Sequence, residues 1–285
     1  MFRGRNGSGS RVLSGDPSAS PGYRLSGNAA NIQLKSTREI EIMARGGEIL
    51  AATLARVSEN VTPGVSTGDL DELADAFIRG HTGAVPAFKG LYGFPGSVCL
   101  SINHEIVHGI PSRKRVVREG DILSIDVGVK YDGMYTDGAV TVAVGQVEPE
   151  STRLLEVTRQ ALAAGIAAAQ PGNHLGDIGA AIGAVVAQAG LSVAKDLVGH
   201  GVGLEPHEEP QVPNEGKPKR GTKLLPGLTI AIEPMVNLGV SDTRTLADRW
   251  TVVTADGNRS AHFEHTVAIT QEGPRILTAQ AVATP

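Results

Sequence analysis

The chain has 285 residues, a formal net charge of -4, and 41% hydrophobic and 20% charged residues. This length allows one large domain or two small ones around a sizeable core, and the mild acidity offers no electrostatic basis for nucleic acid or an anionic membrane as partner. Cys99 is the single cysteine, so no disulfide can form within the chain, which suits a reducing cytoplasm. No apolar run reaches the roughly eighteen residues of a membrane span.

Residues 1–31 carry six Gly and six Ser, with Arg3, Arg5, Arg11 and Arg24 against Asp16. Such a stretch buries too little surface to offset its ordering entropy, and it lacks the apolar centre of a secretory signal. The expectation is a disordered tail over 1–35, then a single catalytic domain over 36–285 built of two pseudo-symmetric halves. Ser36 and Glu39 have capping-box spacing, and Ile40, Met43, Gly47, Leu50, Ala51 and Leu54 form one helical stripe. After Thr62-Pro63-Gly64 a second helix is predicted over about 67–79. Residues 83–97 read as loop, 98–102 as a strand, and NHEIVHGIP as a further loop. Residues 120–138, GDILSIDVGVKYDGMYTDG, alternate as two strands around a Tyr131-Asp132-Gly133 turn, the second strand running to Val144. Helices over about 150–170 and 175–189 follow, then strands near 192–198, 228–237, 250–254 and 262–270.

The order repeats. An offset of 108 places PGVSTGDL over PGNHLGDI, and one of 107 places GDILSIDV over GLTIAIEP, so Asp126 falls on Glu233. Asp137-Gly-Ala-Val is aligned with Glu264-His-Thr-Val, the extra residues falling in the second turn. Each half reads helix, helix, hairpin, which predicts an α+β fold: an antiparallel sheet with a pseudo-two-fold axis and helices on its outer face.

Asp126 and Asp137 lie inside apolar strands, where an uncompensated carboxylate is costly. Taken alone, they fit either a bound metal or one turn Asp and one salt-bridged Asp. The repeat brings Glu233 and Glu264 to the same place, and two divalent ions would balance four charges. His200, in VGHGVG, would add one imidazole, giving a set suited to Mn, Fe, Co or Zn and to hydrolysis.

The motifs SINHEIVHGIP, GDILSIDV with TDG following, GHGVG with His207 seven residues after His200, TIAIEPMVN, WTVVTADG and HFEHTV span about residues 36–279. In this order they resemble the pita-bread metallopeptidases, and among them the type I methionine aminopeptidases. The resemblance implies removal of the initiator methionine from nascent proteins when the second residue is small. It implies two divalent ions, with Asp137 and Glu264 bridging, His200 and Glu233 completing one metal and Asp126 the other. His108 and His207 would contact the substrate, and Glu233 would handle the proton of the attacking water. Phe88, Leu91, Phe94, Cys99 and Trp250 would line the methionine pocket. Implied partners are N-terminal Met peptides and nascent chains, with ribosome contact a further expectation; no membrane or nucleic acid is implied, and a cytoplasmic monomer is the default. The chain departs from the family's usual Cys and Tyr at Phe88 and Leu91, and at His104, Val107 and Pro206. Competing readings are a prolidase or aminopeptidase P relative, which carries a larger N-terminal domain, and a non-catalytic peptide- or ribosome-binding relative, which loses metal ligands.

Overall fold

A computed structural model describes residues 32–279. The expected tail lies outside the described residues up to 31. Residues 32–35, assigned to it from sequence, belong instead to the fold: Ile32 packs on the core and Lys35 is buried in an ion pair with Glu208.

The first half contains α1 (Thr37–Glu59), α2 (Thr67–Arg79), β1 (Ala84–Pro86), β2 (Val98–Ile102), β3 (Glu105–Val107), β4 (Ile122–Tyr131) and β5 (Met134–Ala143). The second contains α3 (Pro149–Ala168), α4 (Leu175–Gln188), β6 (Ser192–Val193), β7 (Gly199–Gly201), β8 (Glu208–Val212), β9 (Thr229–Ile232), β10 (Met235–Asn237), β11 (Thr243–Thr245), β12 (Val252–Thr254), β13 (Ser260–His262), β14 (His265–Thr270) and β15 (Gly273–Ile276). The capping box forms as expected: Ser36 N donates to Glu39 Oε2 at 2.7 Å and Glu39 N to Ser36 Oγ at 3.3 Å.

The P-G-x-x-x-G-D-[LI] repeat has a physical cause. It builds the first turn of α2 and of α4. A Cβ on Gly68 would lie 2.6 Å from Arg113 N, and one on Gly176 2.3 Å from Lys217 O, so each helix start runs against a facing backbone. The following aspartates close the caps: Ser66 Oγ donates to Asp69 Oδ2 at 2.5 Å, and His174 N to Asp177 Oδ2 at 2.7 Å.

All strand pairs among the described residues are antiparallel. β4 pairs β5 on one edge and β1 and β2 on the other, while the second half runs β15-β14-β9-β7-β8. Each half has its own apolar core. Leu50, Leu70, Leu100, Ile125 and Val127 fill the first, and Leu154, Ile178, Ile182, Ile230 and Val267 the second. Val140 of β5 touches both.

The halves meet where β5 runs beside β13 and β14. Ala139 and Glu264 exchange backbone bonds of 3.4 and 2.9 Å. Two threonines flank this pair symmetrically: Thr266 Oγ1 accepts from Asp137 N at 2.9 Å and donates to Asp137 O at 2.8 Å, and Thr141 Oγ1 does the same at 2.8 Å with His262 N and O. Side-chain hydroxyls thus complete the seam between the two hairpins.

The register corrects the sequence alignment of the second strands. Asp126 pairs with Ala139. Ile232 pairs with His265 and Met235 with His262, so one register runs through the Glu233-Pro234 interruption and sets Glu233 opposite Glu264. Glu264 is therefore the counterpart of Ala139, and His262 that of Asp137. The sequence alignment is two residues out at this point. The strand expected over 228–237 is broken at Glu233-Pro234, and that near 192–198 shortens to β6, with β7 following at 199.

Candidate metal centre and substrate pocket

Asp126 sits in β4, Asp137 in β5, His200 in β7, Glu233 at the break between β9 and β10, and Glu264 between β13 and β14. The fold brings all five to the seam. Three groups have ligand atoms within 4.8 Å of one another: Asp126 with Asp137 and Glu264, His200 with Glu233 and Glu264, and Asp137 with His200 and His207. Asp137 and Glu264 are 5% and 2% exposed. Asp126 Oδ1 and Glu264 Oε1 are buried without a hydrogen-bond partner among the described residues.

Burial acts on these carboxylates as it must on unpaired anions. It pushes Asp137 up to about 7. Burial, reinforced by the neighbouring carboxylates, holds Asp126, Glu233 and Glu264 well above the usual carboxylate range. The histidines move the other way. Burial lowers His200 to about 4, His108 to about 4 and His207 to about 3. All three are neutral at pH 7 and keep a lone pair or a single N–H for use. The Nδ1–H of His200 donates to Gly201 O at 2.9 Å, which leaves the Nε2 lone pair 3.4 Å from Glu233 Oε1 and 3.9 Å from Asp137 Oδ2. Orphaned carboxylate oxygens, raised acid pKa values and a lone pair aimed at the same spot all fit hard or borderline divalent cations.

His108 has φ 59, a left-handed conformation unusual for a residue with a Cβ. The chain on either side holds it there. Gly109 N donates to Ser101 Oγ at 3.1 Å and Leu100 N to Gly109 O at 2.9 Å, while Arg115 bonds both Ile110 O and Glu105. His207 stands beside His200 with ring centroids 4.5 Å apart. Its loop is pinned by Glu208, whose Oε1 accepts from Leu204 N at 2.6 Å and Glu205 N at 3.0 Å, and whose other oxygen meets Lys35.

Phe88, Leu91, Phe94, Cys99 and Trp250 all line one cavity of about 300 Å³, together with His108, His207 and the acids. Phe94 and Trp250 meet edge-on with centroids 5.1 Å apart, and Trp250 also faces His108 at 6.5 Å. Cys99, buried and paired across the ladder with Asp126, has its thiol pushed well up by burial and the nearby acids, so it stays a neutral wall atom. The cavity is thus apolar at one end and acidic at the other. Pro206 is buried outside the cavity wall.

His262 was missed. It lies in the same cavity, 2% exposed, with Nε2 3.6 Å from Glu233 Oε2 and 3.7 Å from Glu264 Oε2. Its sequence signal was present: His262 and Glu264 are two apart across a strand end, which places both on one face.

Among the described residues no helix is long and apolar enough to cross a membrane. The model of metallopeptidase family M24 matches residues 41–271. Methionine aminopeptidase 1 of Bacillus subtilis is 49% identical over 244 residues, covering 86% of this chain and 98% of the relative. Methionine aminopeptidase 1 of Mycobacterium tuberculosis is 45% identical, with 90% and 98% covered. The crystal structure of the Thermotoga maritima methionine aminopeptidase superposes with a TM-score of 0.85 at 43% identity, covering 87% of this chain and all of that one. Prolidase from Pyrococcus furiosus, at 24% identity and a TM-score of 0.70, shares the fold alone, and this chain covers 65% of it. The architecture is the pita-bread α+β fold. The chain belongs to metallopeptidase family M24 and, within it, to the methionine aminopeptidases.

Proposed function

We propose that the protein removes the initiator methionine from nascent chains and peptides when the second residue is small, at a centre of two divalent ions such as Co, Mn, Fe or Zn. The observation that carries the reading is the buried acid cluster facing the His200 lone pair at one end of an apolar cavity. Asp137, Glu264 and His200 each belong to two of the three ligand groups; of these, the two carboxylates offer two oxygens apiece and could serve both ions, while Glu233 and the single His200 lone pair would fit one ion and Asp126 the other. Bound there, the ions would polarise the scissile carbonyl and supply a water acidic enough to attack near neutral pH.

The protein's own groups do the rest. The side chain of methionine enters the apolar end between Phe88, Leu91, Phe94, Cys99 and Trp250, where burial is worth about 1.5–3 kcal/mol. His108 and His207, both neutral, donate N–H bonds to the peptide and its carbonyl oxygen as charge develops there. Glu233, as a carboxylate beside the ions, would take up the proton released by water and return it to the departing amine. The C–N bond breaks to give free methionine and a shortened chain. We take the catalytic unit to be one domain of two halves, a monomer, in which the five proposed ligands already converge on one cluster. Nascent chains as substrates make a cytoplasmic setting and contact with the ribosome part of the same reading.

The test is substrate choice. With Co or Mn added, Met-Gly-Met-Met should lose its first residue, and Met-Leu-Met-Met and a dipeptide ending in proline should stay intact. Cleavage of the proline dipeptide alone would move the chain to prolidase chemistry. Metal binding with no cleavage of any of the three would favour a peptide-binding role.

A further inference from the structure

We propose that His262 is a positioning residue of the metal centre, its Nε2–H steering the carboxylates of Glu233 and Glu264 into their metal-binding orientation. This rests on the metal-site reading above and extends it to a residue with no role there.

The backbone that carries the ring is fixed from behind. Thr141 Oγ1 accepts from His262 N and donates to His262 O, both at 2.8 Å, so the seam between the two halves sets where the side chain stands. The imidazole is 2% exposed, yet neither ring nitrogen has a hydrogen-bond partner among the described residues. A buried polar group left so costs about 1–3 kcal/mol, which asks for an explanation in the site it faces. Nε2 looks at Glu233 Oε2 across 3.6 Å and at Glu264 Oε2 across 3.7 Å. Closing either gap by about 0.7 Å makes an ordinary N–H···O bond.

His200 shows why the two imidazoles differ in role. They bracket Glu233, His200 at 3.4 Å from Oε1 and His262 at 3.6 Å from Oε2. His200 spends its Nδ1–H on Gly201 O and presents a lone pair from Nε2. His262 has no acceptor at Nδ1, while the groups facing its Nε2 are carboxylates, which accept when ionised. The proton therefore sits on Nε2, and a nitrogen carrying a proton donates and does not ligate. Its place in the fold agrees. The hairpin register puts His262 where the first half has Asp137, so the pseudo-two-fold matches an acid of the proposed bridging pair with a donor. Such a donor preorganises ligands that would otherwise repel, and loss of outer partners of this kind weakens metal binding by about 10–100-fold.

The experiment uses the full chain, stripped of metal and titrated with Co(II). The Co(II) absorption bands report the ligand set, and competition with a chelator reports affinity. His262→Leu removes the donor, and His262→Gln restores an N–H near the position of Nε2. The leucine variant should bind Co(II) about 10–100-fold more weakly and the glutamine variant within about threefold of the parent, with band positions unchanged in both. Parent-like affinity in the leucine variant would overturn the proposal. So would shifted bands in the glutamine variant, which would make His262 a ligand. If the leucine variant does not fold, the glutamine variant decides, parent-like bands and affinity supporting the proposal and a change in either overturning it. Failure of the parent itself to bind Co(II) would instead overturn the metal-site reading beneath.

Discussion

Replacing Asp137 by Asn should stabilise the metal-free protein while destroying its response to metal. Without metal, burial holds the Asp137 carboxyl near 7 against an ordinary value of 3.8. An acid raised in this way contributes stability that is fully present below 3.8 and lost as the pH rises through about 7. At pH 7.5 almost the whole penalty is in force. The difference is about three pKa units, or about 4 kcal/mol at about 1.4 kcal/mol per unit. Asn keeps the shape, can still accept from Gly138 N as Asp137 Oδ1 does at 3.0 Å, and places an amide donor among the remaining acids. At about 2–4 °C per kcal/mol for a chain of this size, the metal-free variant should melt up to roughly 8–16 °C above the metal-free parent. Metal reverses the order, because two ions each held at 100 times their Kd would add about 5.4 kcal/mol to the parent, more than the variant's advantage of about 4, and the variant lacks a ligand. The assay is differential scanning calorimetry at pH 7.5 with a chelator and again with Mn. A metal-free variant melting at or below the parent would refute the reasoning, as would a variant that gains as much from Mn as the parent does.

Three further outcomes follow from the same geometry. A Cβ at Gly109 would fall 2.2 Å from Leu100 O, so Gly109→Ala should cost about 1–3 kcal/mol by urea unfolding and, by displacing His108, lower kcat about 100-fold. Unchanged kcat would separate His108 from its supporting loop. Lys35→Ala leaves the half-buried Glu208 carboxylate without its cation but still bonded to Leu204 N and Glu205 N, which should cost about 1–3 kcal/mol in the same measurement; no measurable loss would place the pair in solvent. Because burial depresses His108 to about 4 and His207 to about 3, both are neutral from pH 5 upward, and kcat/KM should have no limb near the ordinary histidine value. An inflection near pH 6.5 that disappears in His207→Gln would contradict this.

The acids could be read from the sequence because a carboxylate in an apolar strand is an anomaly that demands a cause, and Glu233 recurs at the repeat spacing from Asp126. The helices could be read from caps and periodicity. β1, β3 and β8 could not. They are three to five residues long, carry Pro or Glu, and exist because a distant strand offers its edge. The β5–β14 seam was hidden for a related reason: its pairing passes through the hydroxyls of Thr141 and Thr266, which no periodicity announces. Aligning acid with acid, the natural choice in one dimension, slipped the second strands by two residues and concealed His262 behind Asp137. Lys35 was lost to the tail because its partner, Glu208, lies 173 residues away.

The central claim is a metal centre that releases N-terminal methionine. It is tested most directly by titrating metal-stripped protein with Mn while recording methionine released from Met-Gly-Met-Met. The account predicts no release without metal, release that rises with occupancy and saturates by two ions per chain, and no release from Met-Leu-Met-Met at any point. Turnover that is indifferent to the chelator, or full metal occupancy without free methionine, would contradict it.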